Sequence, residues 1–208
     1  MSEFKTDQEN FWAGEFGTEY ISRNESHHWL AANVYLFSKI LGKTNKIKSV
    51  IEFGPNIGLN LNAISMLKPN IEMAGIEINQ DAYKILQEQF PNGEFYNKSI
   101  ADYKPSKIYD LSLIKGVLIH LNPSLLEETY EKIYKSSRKY ILICEYYNPT
   151  PVSIDYRGHK DRLFKRDFAG EFLLKYPDTS LIDYGFSYHL DPNFPQDDET
   201  WFLIKKNN

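Results

Sequence analysis

Short apolar runs typical of buried strands alternate along the chain with helical patterns, and this alternation restricts the fold more than any other feature. The predicted strands cover residues 49–53, 73–78, 94–97, 109–115 and 139–145. The predicted helices between them cover residues 59–67, 80–89 and 123–136. Parallel strands need crossover connections, usually helices, so this order predicts an α/β fold with a mostly parallel sheet and helices on both faces.

Both ends of the chain depart from this alternation. Asn24 is placed to cap a helix over residues 25–41, and Gly42 is placed to stop it. Residues 180–189 and 199–206 show two strand patterns with no helix between them. That pair indicates a terminal antiparallel hairpin.

Composition and charge exclude several classes of protein. The 208 residues fit one domain, with residues 1–46 as a helical, aromatic lid segment and residues 47–208 as the α/β core. The formal net charge of −4 gives no global attraction to nucleic acid, so we expect no nucleic-acid partner. The polar N-terminus lacks a signal peptide, and no run of about 18 apolar residues predicts a membrane span. The single cysteine, Cys144, lies in an apolar run and fits a core position in a reducing cytoplasm.

A glycine-containing turn follows the first predicted strand. Glu52 ends that strand, and Gly54 and Gly58 lie in the turn that leads into the next helix. Glycine has no Cβ, so the backbone of this turn can approach a ligand closely. Asn56, between the two glycines, tolerates a positive φ better than most residues. The turn therefore predicts a site for a nucleotide-like ligand.

A second acidic residue narrows the choice of ligand. Glu77 lies near the end of the second predicted strand, where an acid accepts hydrogen bonds from ribose hydroxyls in a dinucleotide-type fold. The turn does not have the Gly-x-Gly-x-x-Gly spacing of NAD-binding proteins, and Glu52 can face a cationic amino group instead of a pyrophosphate. These details favour S-adenosylmethionine over NAD as the cofactor.

Residues 52–58, Glu77 and residues 110–120 resemble motifs of class I (Rossmann-like) S-adenosylmethionine-dependent methyltransferases. The resemblance covers about residues 48–206, and it implies a seven-stranded sheet whose last strand is antiparallel. It also implies contacts to three parts of the cofactor. They fall on Gly54, Asn56 and Gly58 for the methionine part, on Glu77 and Ile78 for the ribose, and on Ser99 and Ile100 for the adenine.

A narrower resemblance covers nearly the whole chain. Residues 11–24, 145–149 and 156–158 are similar to methylases associated with pseudaminic acid biosynthesis. The name of that family reflects association with a sugar pathway. It implies only a substrate class, namely a sugar or a nucleotide sugar.

Two polar residues follow or end the fourth predicted strand. His120 lies beyond the carboxyl end of that strand, where open α/β folds hold their ligands. Its imidazole can deprotonate a hydroxyl or an amine, or it can fix the loop by bonding to backbone. Lys115 ends the strand, and it is a candidate for the cofactor site, for support of an anionic substrate, or for a solvated side chain.

A basic stretch follows the fifth predicted strand in an otherwise acidic chain. It consists of Arg157, His159, Lys160, Arg162, Lys165 and Arg166. Arginine binds phosphate and carboxylate groups bidentately, so the stretch predicts an anionic acceptor; such a mixed-charge run is also typical of a solvated helix face. We expect Tyr146, Tyr156 and Arg157 to contact the substrate.

Aromatic residues are concentrated near the N-terminus. Trp12, Phe16 and Tyr20, with Arg23, can form a lid that excludes water and holds the carboxylate of the cofactor, or they can form a packed arm. No metal is expected, because His27 and His28 are the only histidine pair and adjacent residues on a helix point apart.

The sequence therefore predicts methyl transfer from S-adenosylmethionine to an oxygen or nitrogen of a small, anionic acceptor. Three other classes remain open. They are a protein or RNA methyltransferase, an NAD-dependent enzyme, and a module that binds S-adenosylmethionine without catalysis. The sequence leaves the oligomeric state open.

Overall fold

The computed structural model describes residues 4–22 and 27–207. Its strands in chain order are β1 (Ser49–Phe53), β2 (Glu72–Glu77), β3 (Glu94–Asn97), β4 (Tyr109–Lys115), β5 (Ser137–Glu145), β6 (Val152–Tyr156), β7 (His159–Lys165), β8 (Thr179–Phe186) and β9 (Thr200–Lys206). Within the described residues, seven strands form one sheet in the order β3-β2-β1-β4-β5-β9-β8. β1 to β5 are parallel, whereas β9 is antiparallel to both β5 and β8. The predicted seven-stranded, mostly parallel sheet with an antiparallel last strand is confirmed.

Helices cover both faces of this sheet, as predicted. They are α1 (Asp7–Ala13), α2 (Glu15–Ile21), α3 (His27–Leu41), α4 (Leu59–Leu67), α5 (Gln80–Gln89), α6 (Leu126–Ser136) and α7 (Phe168–Lys175). α3, α4 and α5 pack on one face, and α6 and α7 pack on the other. Successive strand residues point to opposite faces, so Val50 joins the first core and Ile51 joins the second. Among the helices of the described residues, none is long and apolar enough to cross a membrane.

The bounds predicted for β1, α4, α5, β3 and β4 are confirmed. These elements are bounded by turn-forming residues, which explains why their limits could be predicted from the sequence. The predicted helix over residues 123–136 begins instead with a 3-10 turn at Pro123–Leu125 and becomes α-helical at Leu126. The predicted strand over residues 180–189 ends at Phe186. The proposed cap, Asn24, lies outside the described residues.

The basic stretch is a β-hairpin, so the interpretation as a solvated helix face is wrong. β6 and β7 pair antiparallel, with Tyr156 opposite His159. Arg157 and Gly158 between them have φ values of 51° and 85°, and two consecutive positive φ values define a type I′ hairpin turn. Helix α7, which follows the hairpin, was not predicted.

Candidate functional site

A cavity of about 350 Å³ opens at the carboxyl edge of the parallel strands. Open α/β folds bind their ligands at this edge, and the volume lies in the usual range for small-molecule sites. The floor is formed by the turn after β1 and by the ends of β2 and β4. α1 and α2 contribute side chains above this floor, and the turn between β6 and β7 contributes Tyr156 and Arg157 at one end.

The turn after β1 has the geometry that its sequence predicts. Gly54 has a φ of 78°, and Asn56 has a φ of 51°, so asparagine does adopt the left-handed region here. Both residues line the cavity. A Cβ on Gly54 would lie 2.6 Å from a methyl carbon of Val117. Glycine is therefore required where the turn passes beneath the loop that follows β4.

Two other residues of the motif do not line the cavity. Gly58 starts α4 with a φ of 86°, and a Cβ there would lie 2.7 Å from both Leu86 and Phe90. Its role is therefore close packing against α5. Glu52 is completely buried, and its Oε1 accepts a hydrogen bond of 2.7 Å from Nδ2 of Asn60. Burial raises the pKa of Glu52 to about 8, so this carboxyl group is mainly neutral at pH 7 and does not offer the cavity a fixed negative charge.

Glu77 ties the end of β2 to the glycine turn and also lines the cavity. Its carboxylate accepts the backbone N–H of Asn56 at 2.7 Å and that of Asn79 at 2.8 Å. Burial raises the pKa of Glu77, and these backbone hydrogen bonds oppose that effect. Each carboxylate oxygen can accept a further hydrogen bond, so Glu77 can also receive hydroxyl groups of a ligand.

The end of β3 meets helix α1. Ile78, Ser99 and Ile100 line the cavity here, as predicted. The hydroxyl of Ser99 donates a hydrogen bond to Oε1 of Glu9, a residue of α1 that also lines the cavity. Glu9 was missed from the sequence, although the Thr6-x-x-Glu9 spacing predicts the capping box that the structure contains.

α1 and α2 form a roof held on Asn79. Nδ2 of Asn79 lies 3.4 Å from the carbonyl oxygens of Trp12 and Gly14, at the junction of the two helices, and 3.1 Å from Oγ1 of Thr18. Trp12 and Tyr20 line the cavity beneath this roof, with their rings 5.2 Å apart. Arg23, which was also predicted for the lid, lies outside the described residues.

Lys115 lines the cavity and is paired with a residue from the end of the chain. Its Nζ lies 2.6 Å from Oε2 of Glu199, and both side chains are largely buried. Burial lowers the pKa of Lys115, but the adjacent Glu199 carboxylate outweighs this effect, so the pKa is raised. The lysine therefore keeps its charge, and that charge is matched within the protein. Its interpretation as a solvated side chain is wrong.

His120 lies in a 3-10 turn after β4, and its Nδ1 is 2.6 Å from the carbonyl oxygen of Arg162. A carbonyl oxygen only accepts, so we assign the ring proton to Nδ1, which leaves the lone pair on Nε2. Burial lowers the pKa of His120 to about 4, so the imidazole is neutral at physiological pH. Its ring contacts Trp12 at 4.6 Å and Tyr156 at 4.8 Å between centroids.

Glu145, at the end of β5, fixes the loop that carries His120. Its Oε1 accepts the backbone N–H of Val117 at 3.0 Å and that of Leu118 at 2.9 Å. No role was predicted for Glu145 from the sequence. An acid that ends a buried strand next to the histidine loop is the signal that would have indicated this position.

The predicted substrate residues Tyr146, Tyr156 and Arg157 line the cavity together. Among the described residues of the basic stretch, only Arg157 does so. Arg162 lies over the ring of Phe11, and Lys165 lies over that of Tyr146. Arg166 is paired with Glu171 at 2.6 Å, and His159 packs against Phe11. The basic stretch therefore provides packing contacts and an ion pair, and it contributes Arg157 to the cavity.

The chain is similar to known proteins in its three-dimensional structure. No protein-family model matches the chain, and no curated protein matches it. One similar structure is the 1,6-didemethyltoxoflavin-N1-methyltransferase of Burkholderia thailandensis with bound 1,6-didemethyltoxoflavin and S-adenosylhomocysteine. It has a TM-score of 0.71 and 12% sequence identity, and the match covers 100% of this chain and 93% of that one. The plantazolicin methyltransferase BpumL in complex with SAH has a TM-score of 0.67 and 16% identity, over 97% and 94%. A S-adenosylmethionine-dependent methyltransferase from Clostridium acetobutylicum has a TM-score of 0.64 and 8% identity, over 93% and 98%.

At these identities the similarity concerns the fold. The chain therefore has the Rossmann-like fold found in S-adenosylmethionine-dependent methyltransferases. Since no family model matches, the narrower resemblance to methylases associated with pseudaminic acid biosynthesis stays a prediction.

Proposed function

We propose that this protein is an S-adenosylmethionine-dependent methyltransferase that methylates an oxygen or nitrogen of a small acceptor. The observation that carries the proposal is the composition of the cavity at the carboxyl edge of the sheet. The positive-φ turn of Gly54 and Asn56 adjoins the Glu77 carboxylate there. The fold shared with methyltransferases of known structure supports the same assignment.

The residues around the cavity fit this cofactor. Glu77 offers carboxylate oxygens to ribose hydroxyls, and Ile78 and Ile100 offer apolar surface to adenine. The buried indole N–H of Trp12 has no partner among the described residues, which leaves a donor for the carboxylate of the cofactor. We assign Tyr20 to the same part of the site, and we include Lys115 for its position at the end of β4.

When bound, S-adenosylmethionine supplies an electrophilic methyl group on a positively charged sulfur. The protein has to align the acceptor with that methyl group and exclude water. α1 and α2 serve the second purpose, because Trp12 packs against Phe16, Tyr20 and His120 above the cavity.

His120 is the base that we assign to the acceptor. In this role, Nε2 of the neutral imidazole would take the proton that the acceptor atom loses when the methyl group moves from the sulfur to it, a transfer that would leave S-adenosylhomocysteine. A low pKa does not prevent this transfer from a hydroxyl acceptor, because an oxygen that gains a methyl group becomes a strongly acidic oxonium. A methylated amine is a weaker acid and would lose its proton to solvent. The hydrogen bond from Nδ1 to Arg162 holds the ring in the required tautomer.

We assign one end of the cavity to the acceptor. Tyr146, Tyr156 and Arg157 line the cavity with Asp197, and the charge of Asp197 acts on both Tyr146 and Arg157. Because Glu199 matches the charge of Lys115, we assign Arg157 to an anionic group of the acceptor. A sugar acid or nucleotide sugar has such a group, and the narrower sequence resemblance favours the same class.

Titration calorimetry with S-adenosylmethionine, S-adenosylhomocysteine and NAD tests the proposed cofactor. We expect the first two ligands to bind with micromolar or better affinity, and NAD not to bind. Binding of NAD alone would overturn the proposal. Binding of S-adenosylmethionine without turnover on a panel of sugar, nucleotide and amine acceptors would favour a module that binds the cofactor without catalysis.

Substitution of Arg157 by asparagine is expected to raise KM for an anionic acceptor by about 10- to 100-fold, because a charge-assisted hydrogen bond is lost. Asparagine is the appropriate replacement, since residue 157 has a φ of 51° in the hairpin turn. The control is Lys160→Ala, which removes one charge from an exposed position on β7. Steady-state kinetics give both values, and equal acceptor KM values for Arg157→Asn and wild type would exclude Arg157 from the site.

A further inference from the structure

Glu9 is a buried acidic residue that lines the cavity, and the proposed mechanism does not use its carboxylate. The Glu9 residue is 4% exposed, and it lies in α1 opposite the end of β3. Its Oε2 accepts hydrogen bonds of 2.9 Å from both the backbone N–H and the hydroxyl of Thr6. Its Oε1 accepts the hydroxyl of Ser99. These contacts hold the carboxylate in one orientation.

The direction of the hydrogen bond between Ser99 and Glu9 follows from the two groups. A carboxylate only accepts and the backbone N–H of Ala101 only donates, at 3.0 Å, so the single hydroxyl hydrogen of Ser99 is directed to Glu9. A carboxylate oxygen can accept two hydrogen bonds. Oε1 of Glu9 therefore retains capacity for one more donor beside Ile78 and Ile100, the apolar residues that we assign to the adenine.

The anchoring of α1 keeps Glu9 at this position. Lys5 pairs with Asp102 at 3.2 Å, in the 3-10 turn that follows β3. At the other end of α1, Asn79 holds the carbonyl oxygens of Trp12 and Gly14. The helix thus spans from the end of β3 to the end of β2, directly beside the proposed adenine site.

We propose that Glu9 accepts a hydrogen bond from the 6-amino group of the cofactor's purine and thereby selects adenine over a 6-oxopurine. This inference rests on the proposed function. An ionised carboxylate only accepts hydrogen bonds, so it pairs with an amino group and is opposed by an oxo group at the same position. A site built around such a hydrogen bond rejects an analogue that cannot form it, because buried polar groups then remain unpaired.

The test compares the affinities of the full chain for S-adenosylhomocysteine and S-inosylhomocysteine, which differ in the purine. For wild type we expect calorimetry to give a preference for the adenine ligand of about 30-fold or more. Glu9→Gln keeps the side-chain length but adds an amide donor, and it is expected to reduce the preference to about 3-fold or less. The control is Asp7→Asn, the same kind of acid-to-amide change at an exposed position of α1, for which the preference should persist.

The ratio of the two affinities separates recognition of the purine from a general loss of binding, because displacement of α1 weakens the binding of both ligands alike. If Glu9→Gln does not fold, the wild-type protein answers the question with an analogue that has hydrogen in place of the 6-amino group. This ligand should bind about 10-fold more weakly than S-adenosylhomocysteine. Equal binding of these two ligands, or an unchanged preference in Glu9→Gln, would overturn the role of Glu9. Failure of wild type to bind S-adenosylhomocysteine at all would instead overturn the proposed function, and this inference with it.

Discussion

Replacement of Gly17 by alanine is expected to lower the affinity for S-adenosylhomocysteine by roughly 10- to 100-fold. Gly17 is buried in α2, and a Cβ there would lie 1.9 Å from the carbonyl oxygen of Trp12 and 3.0 Å from Nδ2 of Asn79. The first of these is a backbone atom, so the two helices of the roof must move apart. Relief of such overpacking costs about 1–3 kcal/mol. If the shifted roof does not bind the ligand, the apparent affinity falls with the fraction of molecules that keep the roof in place.

The thermal unfolding midpoint of Gly17→Ala should stay close to that of wild type. Both apolar cores draw their buried side chains from the sheet and from α3 to α7 and the adjoining segments, and not from α1 or α2. The matched control is Glu19→Ala, an exposed position on the same helix, which should change neither quantity. Calorimetry and a melting curve on the three proteins are sufficient. Unchanged affinity in Gly17→Ala would show that the ligand does not depend on the roof.

The elements of the sheet could be predicted because their sequence pattern is local. β1 is buried along its whole length, so its residues form one apolar run that ends at the glycine turn. β6 and β7 lack that signal. β6 is exposed almost throughout, and Arg157-Gly158 is not one of the usual residue pairs for its turn type. The hairpin therefore appears in the sequence only as a charged stretch.

The same distinction between local and distant signals applies to the residues of the candidate site. Gly54, Asn56 and Glu77 were found because turn geometry and strand ends leave a signal within a few residues. Glu9 and Glu145 depend on partners that are distant in sequence, since Glu9 bonds Ser99 across 90 positions and Glu145 bonds Leu118 across 27. The same distance explains why a solvated side chain remained an alternative for Lys115, because its partner Glu199 belongs to the segment before β9. Only the folded chain brings these charges together.

Substitution of His120 by asparagine is expected to lower kcat by about 10²- to 10⁴-fold while changing cofactor affinity by less than about 3-fold. The asparagine amide can donate to the carbonyl of Arg162 as Nδ1 does, so the loop keeps its anchor while the base is lost. Glu145 continues to hold Val117 and Leu118 in this variant. Single-turnover kinetics with calorimetry on the same samples separate the two effects. A wild-type rate in His120→Asn would assign the histidine to structure alone.

The pH dependence of kcat in wild type and in His120→Asn distinguishes a buried histidine from a solvent-exposed one. A base acts in its deprotonated form, and the pKa of His120 is lowered to about 4 by burial. The neutral form is therefore fully present from pH 8 down to about pH 5, and protonation removes it only as the pH falls through about 4. The ratio of kcat for wild type to kcat for His120→Asn should stay constant between pH 8 and 5, because ionisation of the acceptor affects both proteins equally. An exposed histidine would lose half of that ratio near pH 6.5. A decline centred there would contradict the burial of the His120 ring against Trp12 and Tyr156.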